Sequence, residues 1–171
     1  DPRDSPLLGA KYFDRPSVFQ PANLLREGSR QRRRPDVAVP EVCLLDPDGD
    51  IVGHLVATGR ALEHPGWACF NDVVDADVDG VDVGVIGCAV GASFAVLLAE
   101  QLAVSGCRLL LSITSAGSIT PVADPPYFVI IDRALRDEGT SHYYLPPARW
   151  SPAPPQLLAR LGDGVPGLGQ P

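Results

Sequence analysis

The chain has no methionine among its 171 residues, so we expect Asp1 to follow processing or a longer upstream sequence. It also lacks any apolar run near the ~20 residues that a membrane helix requires. Its first residues, DPRDSPLLGAKYFD, hold no apolar stretch of the kind that makes a secretion signal. Cysteine is sparse: Cys43, Cys69, Cys88 and Cys107 lie 19 to 26 residues apart, with no C-x-x-C pair. That spacing excludes the common zinc arrangements, and His54, His64 and His142 are too scattered to build another metal site. Each cysteine adjoins an apolar stretch, so buried free thiols in a reducing compartment, the cytoplasm, are expected.

What is present is a chain of one ordinary domain's length, 45% hydrophobic and 20% charged. The net charge of −7 is uneven. Residues 1–40 hold eight of the 14 basic and five of the 21 acidic residues, leaving six against sixteen for the remainder. The basic peak is Arg30, Arg32, Arg33 and Arg34, which reads as a solvated loop before Pro35. The acidic remainder would repel nucleic acid, so that partner is not expected.

Proline and glycine, 18 and 17 residues, concentrate at the two ends and punctuate the middle. Residues 1–20 read as an extended arm and residues 162–171 as a tail without structure of its own. Pro21–Gly28 predicts a short helix, with Pro at its start and Gly at its end. Glu41–Leu45 and Ile51–Val56 flank Asp46-Pro-Asp-Gly-Asp50, which predicts a hairpin. Asp72, Asp75, Asp77, Asp79 and Asp82 alternate with small and apolar residues. No bidentate Glu follows to complete a calcium loop, so an exposed strand and turn is expected.

From Val83 the pattern sharpens. Val83–Gly87 is a buried strand, Cys88–Ser93 a tight loop of small residues, and Phe94–Val104 a helix apolar almost all round. Gly106 ends that helix, and Arg108–Ile113 is a second buried strand. Strand, helix and strand in this span make a βαβ unit, hence a parallel core in a mixed sheet flanked by helices. Tyr127–Ile131 predicts a third strand, Arg136–His142 is polar, and Ala153–Leu161 predicts a last helix. Ligands of such sheets bind at the carboxyl ends of the strands. Two loops leave such ends: Gly87–Ser93, entering a helix whose N–H groups favour an anion, and the hydroxyl-rich Ser112–Ser118.

These residues resemble the nucleoside phosphorylase family, which groups purine nucleoside and uridine phosphorylases with methylthioadenosine nucleosidases. The family carries a G-x-G-G-P-S-type loop before a helix ending E-E-L; here stand Cys88-Ala-Val-Gly-Ala-Ser93 and Ala99-Glu-Gln-Leu102. It continues with G-T-[AT]-G-[SG]-[LI]; here stands Thr114-Ser-Ala-Gly-Ser-Ile119. It then has R-D-E-G-T-S-x-x-Y-x-P; here stands Arg136-Asp-Glu-Gly-Thr-Ser-His-Tyr-Tyr-Leu-Pro146. Phe19–Leu25 loosely matches the N-terminal segment of some members. The resemblance implies a single nucleoside phosphorylase-like α/β domain over residues 1–171. It also implies a homo-oligomer, a nucleoside, purine included, as the small-molecule ligand, and inorganic phosphate as co-substrate with no other cofactor.

By the same resemblance Gly91 and Ser93 match the first loop. Ser115 matches a hydroxyl that touches phosphate and ribose, and Gly117 a glycine that lets the loop pass near the sugar. The phosphorylases' phosphate-binding arginine falls on Ser112, a departure that the family's hydrolases share. The family's M-E-x-E ribose clamp and its purine-protonating Asp lie beyond the stretch matched here, so the chain is expected to lack the final third of the fold. Cleavage of an N-glycosidic bond with phosphate is therefore the first expectation. Hydrolysis by water, or an inactive nucleoside-binding or scaffold relative, stands beside it. A separate reading of Gly91-Ala-Ser-Phe-Ala95 makes Ser93 the nucleophile of a degenerate G-x-S-x-G elbow, with Asp124, Asp132 or Asp137 and His142 completing a triad.

Overall fold

A computed structural model gives the fold and describes residue 9 and residues 11–120 and 124–162. The expected tail, apart from Gly162, and most of the first half of the expected arm lie outside the described residues. The chain divides into two compact units, Ser17–Ser115 and the remainder on either side of it.

The central unit is a five-stranded mixed sheet in the order β2-β3-β4-β1-β5, from strands β1 (Val42–Asp46), β2 (Ala61–Glu63), β3 (Val73–Val78), β4 (Val81–Gly87) and β5 (Leu109–Ser112). β1 pairs in parallel with both β4 and β5, while β2, β3 and β4 form an antiparallel meander. The predicted βαβ unit is present: helix α3 (Ala92–Val104) joins β4 to β5, and β1 lies between those two strands.

Strand alternation divides the core in two. Cys43, Leu45, Val73 and Ile86 face α3 and, with Trp67, Leu98 and Leu102, form one cluster against which Leu25 of helix α1 (Pro21–Arg32) packs. Leu44, Val74, Ala76 and Val85 face the other way and pack on Ile51, Val52 and Leu55 of helix α2 (Asp50–Ala57). Gln101, predicted to break the apolar run, is fully buried and its Oε1 accepts from the Cys69 thiol at 3.7 Å.

Several expectations are corrected. Ile51–Val56 is helical rather than the second arm of a hairpin. The apolar pairs Ile51-Val52 and Leu55-Val56 recur at helical spacing, and the first three of these residues meet the sheet. The Asp-rich segment does form strand and turn, through Asp79 and Gly80 with positive φ of 52° and 82°, but Val73, Val74 and Ala76 are buried. Helix α1 runs past Gly28 to Arg32, because the bare α-carbon of Gly28 accommodates the close approach of the Ala68 carbonyl. Its last turn holds Arg30 and Arg32, favourably placed for the helix dipole, and Arg34 pairs with Glu63. Only Cys43 and Cys69 are fully buried; Cys107 is half-buried and Cys88 is exposed.

In the second unit, Tyr127–Ile131 forms no strand and has no ladder partner among the described residues; Phe128, Val129 and Ile131 are exposed. Pairing occurs instead between β6 (Arg133–Leu135) and β7 (Trp150–Pro152), antiparallel. Between them lies a short 3-10 turn, Ser141–Tyr143. Helix α4 (Pro155–Gly162) follows, close to its predicted place.

Candidate functional site

The three parallel strands end level with one another. Asp46 of β1 pairs with Gly87 of β4, and Leu45 pairs with Ser112 of β5. The connections that leave neighbours β1 and β4 run on opposite faces of the sheet, through α2 and α3. That is the strand edge where open α/β sheets bind ligands.

The segment Asp46–Gly49 links the loops at this edge. The Asp46 side chain is buried; its Oδ1 accepts the Gly49 N–H at 3.1 Å and its Oδ2 the Val52 N–H at 2.9 Å. It thereby satisfies two of the open donors at the start of α2. Its carbonyl accepts the Cys88 N–H at 2.9 Å, fixing the loop after β4. Gly49 has φ +83°, and a Cβ there would stand 2.9 Å from the Cys88 Sγ. From the other side Asn71 holds the same loop, donating to the Gly87 carbonyl at 2.8 Å, while its own carbonyl accepts from Trp67 Nε1 at 2.8 Å.

Asp48 reaches the loop after β5. Its Oδ2 accepts the Ser115 N–H at 2.7 Å and the Thr114 hydroxyl at 3.2 Å. These donors, the Ser115 N–H foremost, hold the fully exposed Asp48 carboxyl below its ordinary value. Burial pushes the Cys43 and Cys69 thiols up, so neither is a thiolate at neutral pH.

Of the residues singled out in the sequence, Gly91 and Ser93 lie at the start of α3. Gly91 is the N-cap with φ 93° and ψ 140°, a conformation open to glycine, and Ser93 is exposed in the first turn. Ser115 is exposed and bound to Asp48 as described. Gly117 and Ser118 belong to the second unit, where Ser118 Oγ accepts the Tyr127 hydroxyl at 3.3 Å. Ser112, at the end of β5, is exposed. The sequence reading missed Asp46 and Asp48. The helical spacing that follows them was the available sign that they stand in a strand-to-helix loop rather than a hairpin turn.

The elbow reading does not fit. The positive φ after β4 belongs to Cys88, at 60°, and Ser93 sits within the helix rather than on a strained turn. His142 lies in the second unit, 3.4 Å from the Arg136 guanidinium. Among the described residues no three His, Cys, Asp or Glu side chains gather where they could hold a metal ion. No helix is long and apolar enough to cross a membrane among them either. A cavity of about 420 Å³ flanks the sheet under α2, walled chiefly by Leu44, Ile51, Leu55, Val83 and Val85, and does not cap the strand ends.

A family model described as the phosphorylase superfamily matches residues 42–166, more than half of the chain. The chain belongs to the phosphorylase superfamily. Among solved structures, its fold is similar to that of uridine phosphorylase from Vibrio fischeri, with TM-score 0.60 and 20% identity over 73% of this chain and 51% of that one. It is similar also to purine nucleoside phosphorylase from Toxoplasma gondii, solved with immucillin-H, with TM-score 0.63 and 18% identity over 74% and 51%. The chain thus spans about half the length of each of these proteins. No curated protein matches it.

Proposed function

We propose that this chain binds a nucleoside beyond the carboxyl ends of β1, β4 and β5 and takes part in cleaving its N-glycosidic bond. The observation that carries this reading is the convergence of the Asp46–Gly49 loop with the loops after β4 and β5 at one strand edge, in a member of the phosphorylase superfamily. Small residues at Gly49, Gly91 and Ser115 let a ligand approach the backbone closely. In this chemistry the base leaves with the C–N electrons, and the sugar gains positive charge. Asp48 and Asp50, both exposed at this edge, supply negative charge that favours such a state. The acceptor of the sugar is inorganic phosphate or water. We also propose that the working form is a homo-oligomer.

The test is incubation with a panel of purine and pyrimidine nucleosides, with and without phosphate, following free base by chromatography. Release of base under either condition supports cleavage; its absence under both removes the enzymatic reading for this chain. A second reading, nucleoside binding without cleavage, is favoured by the uncharged Ser112 at the end of β5. It predicts saturable nucleoside binding by calorimetry with no base released.

A further inference from the structure

We propose that Cys43 and Cys107 form a reversible redox site, a dithiol that a hydroperoxide converts to a disulfide tying the start of β1 to the connection that enters β5. The two cysteines are far apart in sequence, and the fold brings them together. β5 lies beside β1, and Val42, the residue before Cys43, pairs with Leu109. The chain ahead of β5 curls: the N–H groups of Arg108 and Leu109 both donate to the Glu41 carbonyl, at 2.8 and 3.0 Å. The Cys107 thiol turns back toward this strand pair and donates to the Leu109 carbonyl at 3.4 Å. At the same end of β1 the Cys43 thiol donates to the Pro40 carbonyl at 3.3 Å. Cys107 packs on the core cluster that contains Cys43, and the two side chains lie within hydrogen-bonding reach of each other. The other two thiols are placed elsewhere. Cys69 donates to Gln101, and Cys88 follows the carboxyl end of β4, at the opposite edge of the sheet.

Exposure divides the roles. Cys43 is fully buried, while Cys107 is half-buried and open to a small oxidant. Burial first, and the neighbouring Cys107 thiol after it, push the Cys43 thiol up, so Cys43 is not the sulfur that meets the oxidant. With hydrogen peroxide, the Cys107 sulfur attacks one oxygen and the O–O bond breaks. The departing hydroxide takes the Cys107 proton and leaves as water, and Cys107 becomes a sulfenic acid. The Cys43 sulfur then attacks the Cys107 sulfur, the S–O bond breaks, and the Cys43 proton leaves with the oxygen as a second water. Two thiols together lose two electrons, which the peroxide gains. A dithiol reductant reverses the change by thiol–disulfide exchange. Both cysteines lie toward the amino ends of β1 and β5, whereas Asp46 and Ser112 stand at the carboxyl ends. This chemistry therefore does not rest on the nucleoside reading.

The test treats the reduced, folded chain with hydrogen peroxide, alkylates the remaining thiols with iodoacetamide in urea, and maps proteolytic fragments by mass spectrometry. C88S is the background, because the exposed Cys88 links separate molecules on oxidation. The expected product is a single chain lighter by about 2 Da, the mass of two hydrogens lost on forming one disulfide. In it Cys43 and Cys107 share one linked pair of fragments, and both escape alkylation. Dithiothreitol restores both alkylation sites. In C88S/C107S, which leaves the fully buried thiols in place, peroxide leaves Cys43 open to alkylation. Unfolding the chain in urea before peroxide removes the preference for this pair. Oxidation that leaves Cys107 a free thiol, a link between other cysteines, or Cys107 carried on to sulfinic acid beside a free Cys43 overturns the proposal. So does an equal yield of the Cys43–Cys107 link from the unfolded chain, which would take the fold out of the pairing.

Discussion

The carboxylate of Asp46, 1% exposed, accepts the backbone N–H of Val52 at 2.9 Å across the turn from β1 to α2. This bond makes the strand end and the helix start one rigid piece, and it sets where Asp48 can reach. Replacing Asp46 by alanine leaves the Gly49 and Val52 N–H groups without that acceptor at the head of α2. Loss of a helix cap costs about 1–2 kcal/mol, and burial places D46A toward the upper end. D46N keeps an oxygen for one donor while turning its amide toward the other, so its loss is intermediate. Urea unfolding of the three proteins measures this order.

At Gly49 two penalties coincide, and they can be separated. G49A forces a side chain into φ +83° and places its Cβ 2.9 Å from the Cys88 Sγ. The left-handed conformation alone costs about 1–2 kcal/mol for a residue with a Cβ. C88A removes the clash but not the backbone cost. A double-mutant cycle in thermal or urea unfolding is therefore expected to show G49A less damaging in the C88A background than alone. Additive effects would mean that the steric contact carries no energy.

Much of the fold was legible in the sequence, because β4, α3 and β5 read as apolar segments; β4 is buried over its last four residues and α3 at Leu98, Gln101 and Leu102, whereas β5, expected to be buried, is an edge strand exposed at both ends. The order of the loops around them was legible too. Asp48 was not. Its partner Ser115 lies 67 residues away in sequence, and only the placement of β5 beside β1 brings the two together. Ile51–Val56 was misread because two apolar pairs satisfy a short strand as well as one helical face; the residues between them, Gly53 and His54, are exposed and decide for the helix. Tyr127–Ile131 has the composition of a strand, yet a strand exists only where a neighbour supplies its hydrogen bonds. Arg136 stood in the sequence only as part of the polar segment Arg136–His142, and nothing in its neighbourhood announced the carbonyl oxygens that enclose it.

That arginine is 7% exposed, and no carboxylate pairs with it among the described residues. It donates instead to the carbonyls of Pro146, Ser141 and Leu145 at 2.7, 2.9 and 3.1 Å, and to the Ser141 hydroxyl at 3.0 Å. The planar fork of donors ties the segment from β6 to β7 into a loop. Lysine carries the charge but cannot meet acceptors spread over this fan. R136K is expected to lose roughly 2–3 kcal/mol, the scale of charge-assisted hydrogen bonds left unmade. R136A loses at least as much. Hydrogen exchange localises the effect: amides between Arg133 and Pro152 lose protection, while β1, β4 and β5 keep theirs.

Glu138 gives the same segment a pH dependence whose sign is fixed. Its carboxylate accepts the Ser141 N–H at 3.1 Å and the Thr140 N–H at 2.6 Å, capping the 3-10 turn that follows. Hydrogen bonding by Ser141 first, and Thr140 after it, holds the carboxyl below its ordinary value of 4.5. The ionised form is thus the one the folded loop prefers. A carboxyl depressed on folding contributes stability that is fully present above its unfolded pKa and is lost as pH falls through the folded value. The loop is therefore unaffected between neutral pH and 5 and loosens only in stronger acid. The Thr140 and Ser141 amide resonances should titrate together with a midpoint below 4.5. In E138Q that shared titration disappears, since glutamine keeps an acceptor oxygen but has no proton to gain. A midpoint at or above the ordinary value would show that the cap does not form in solution.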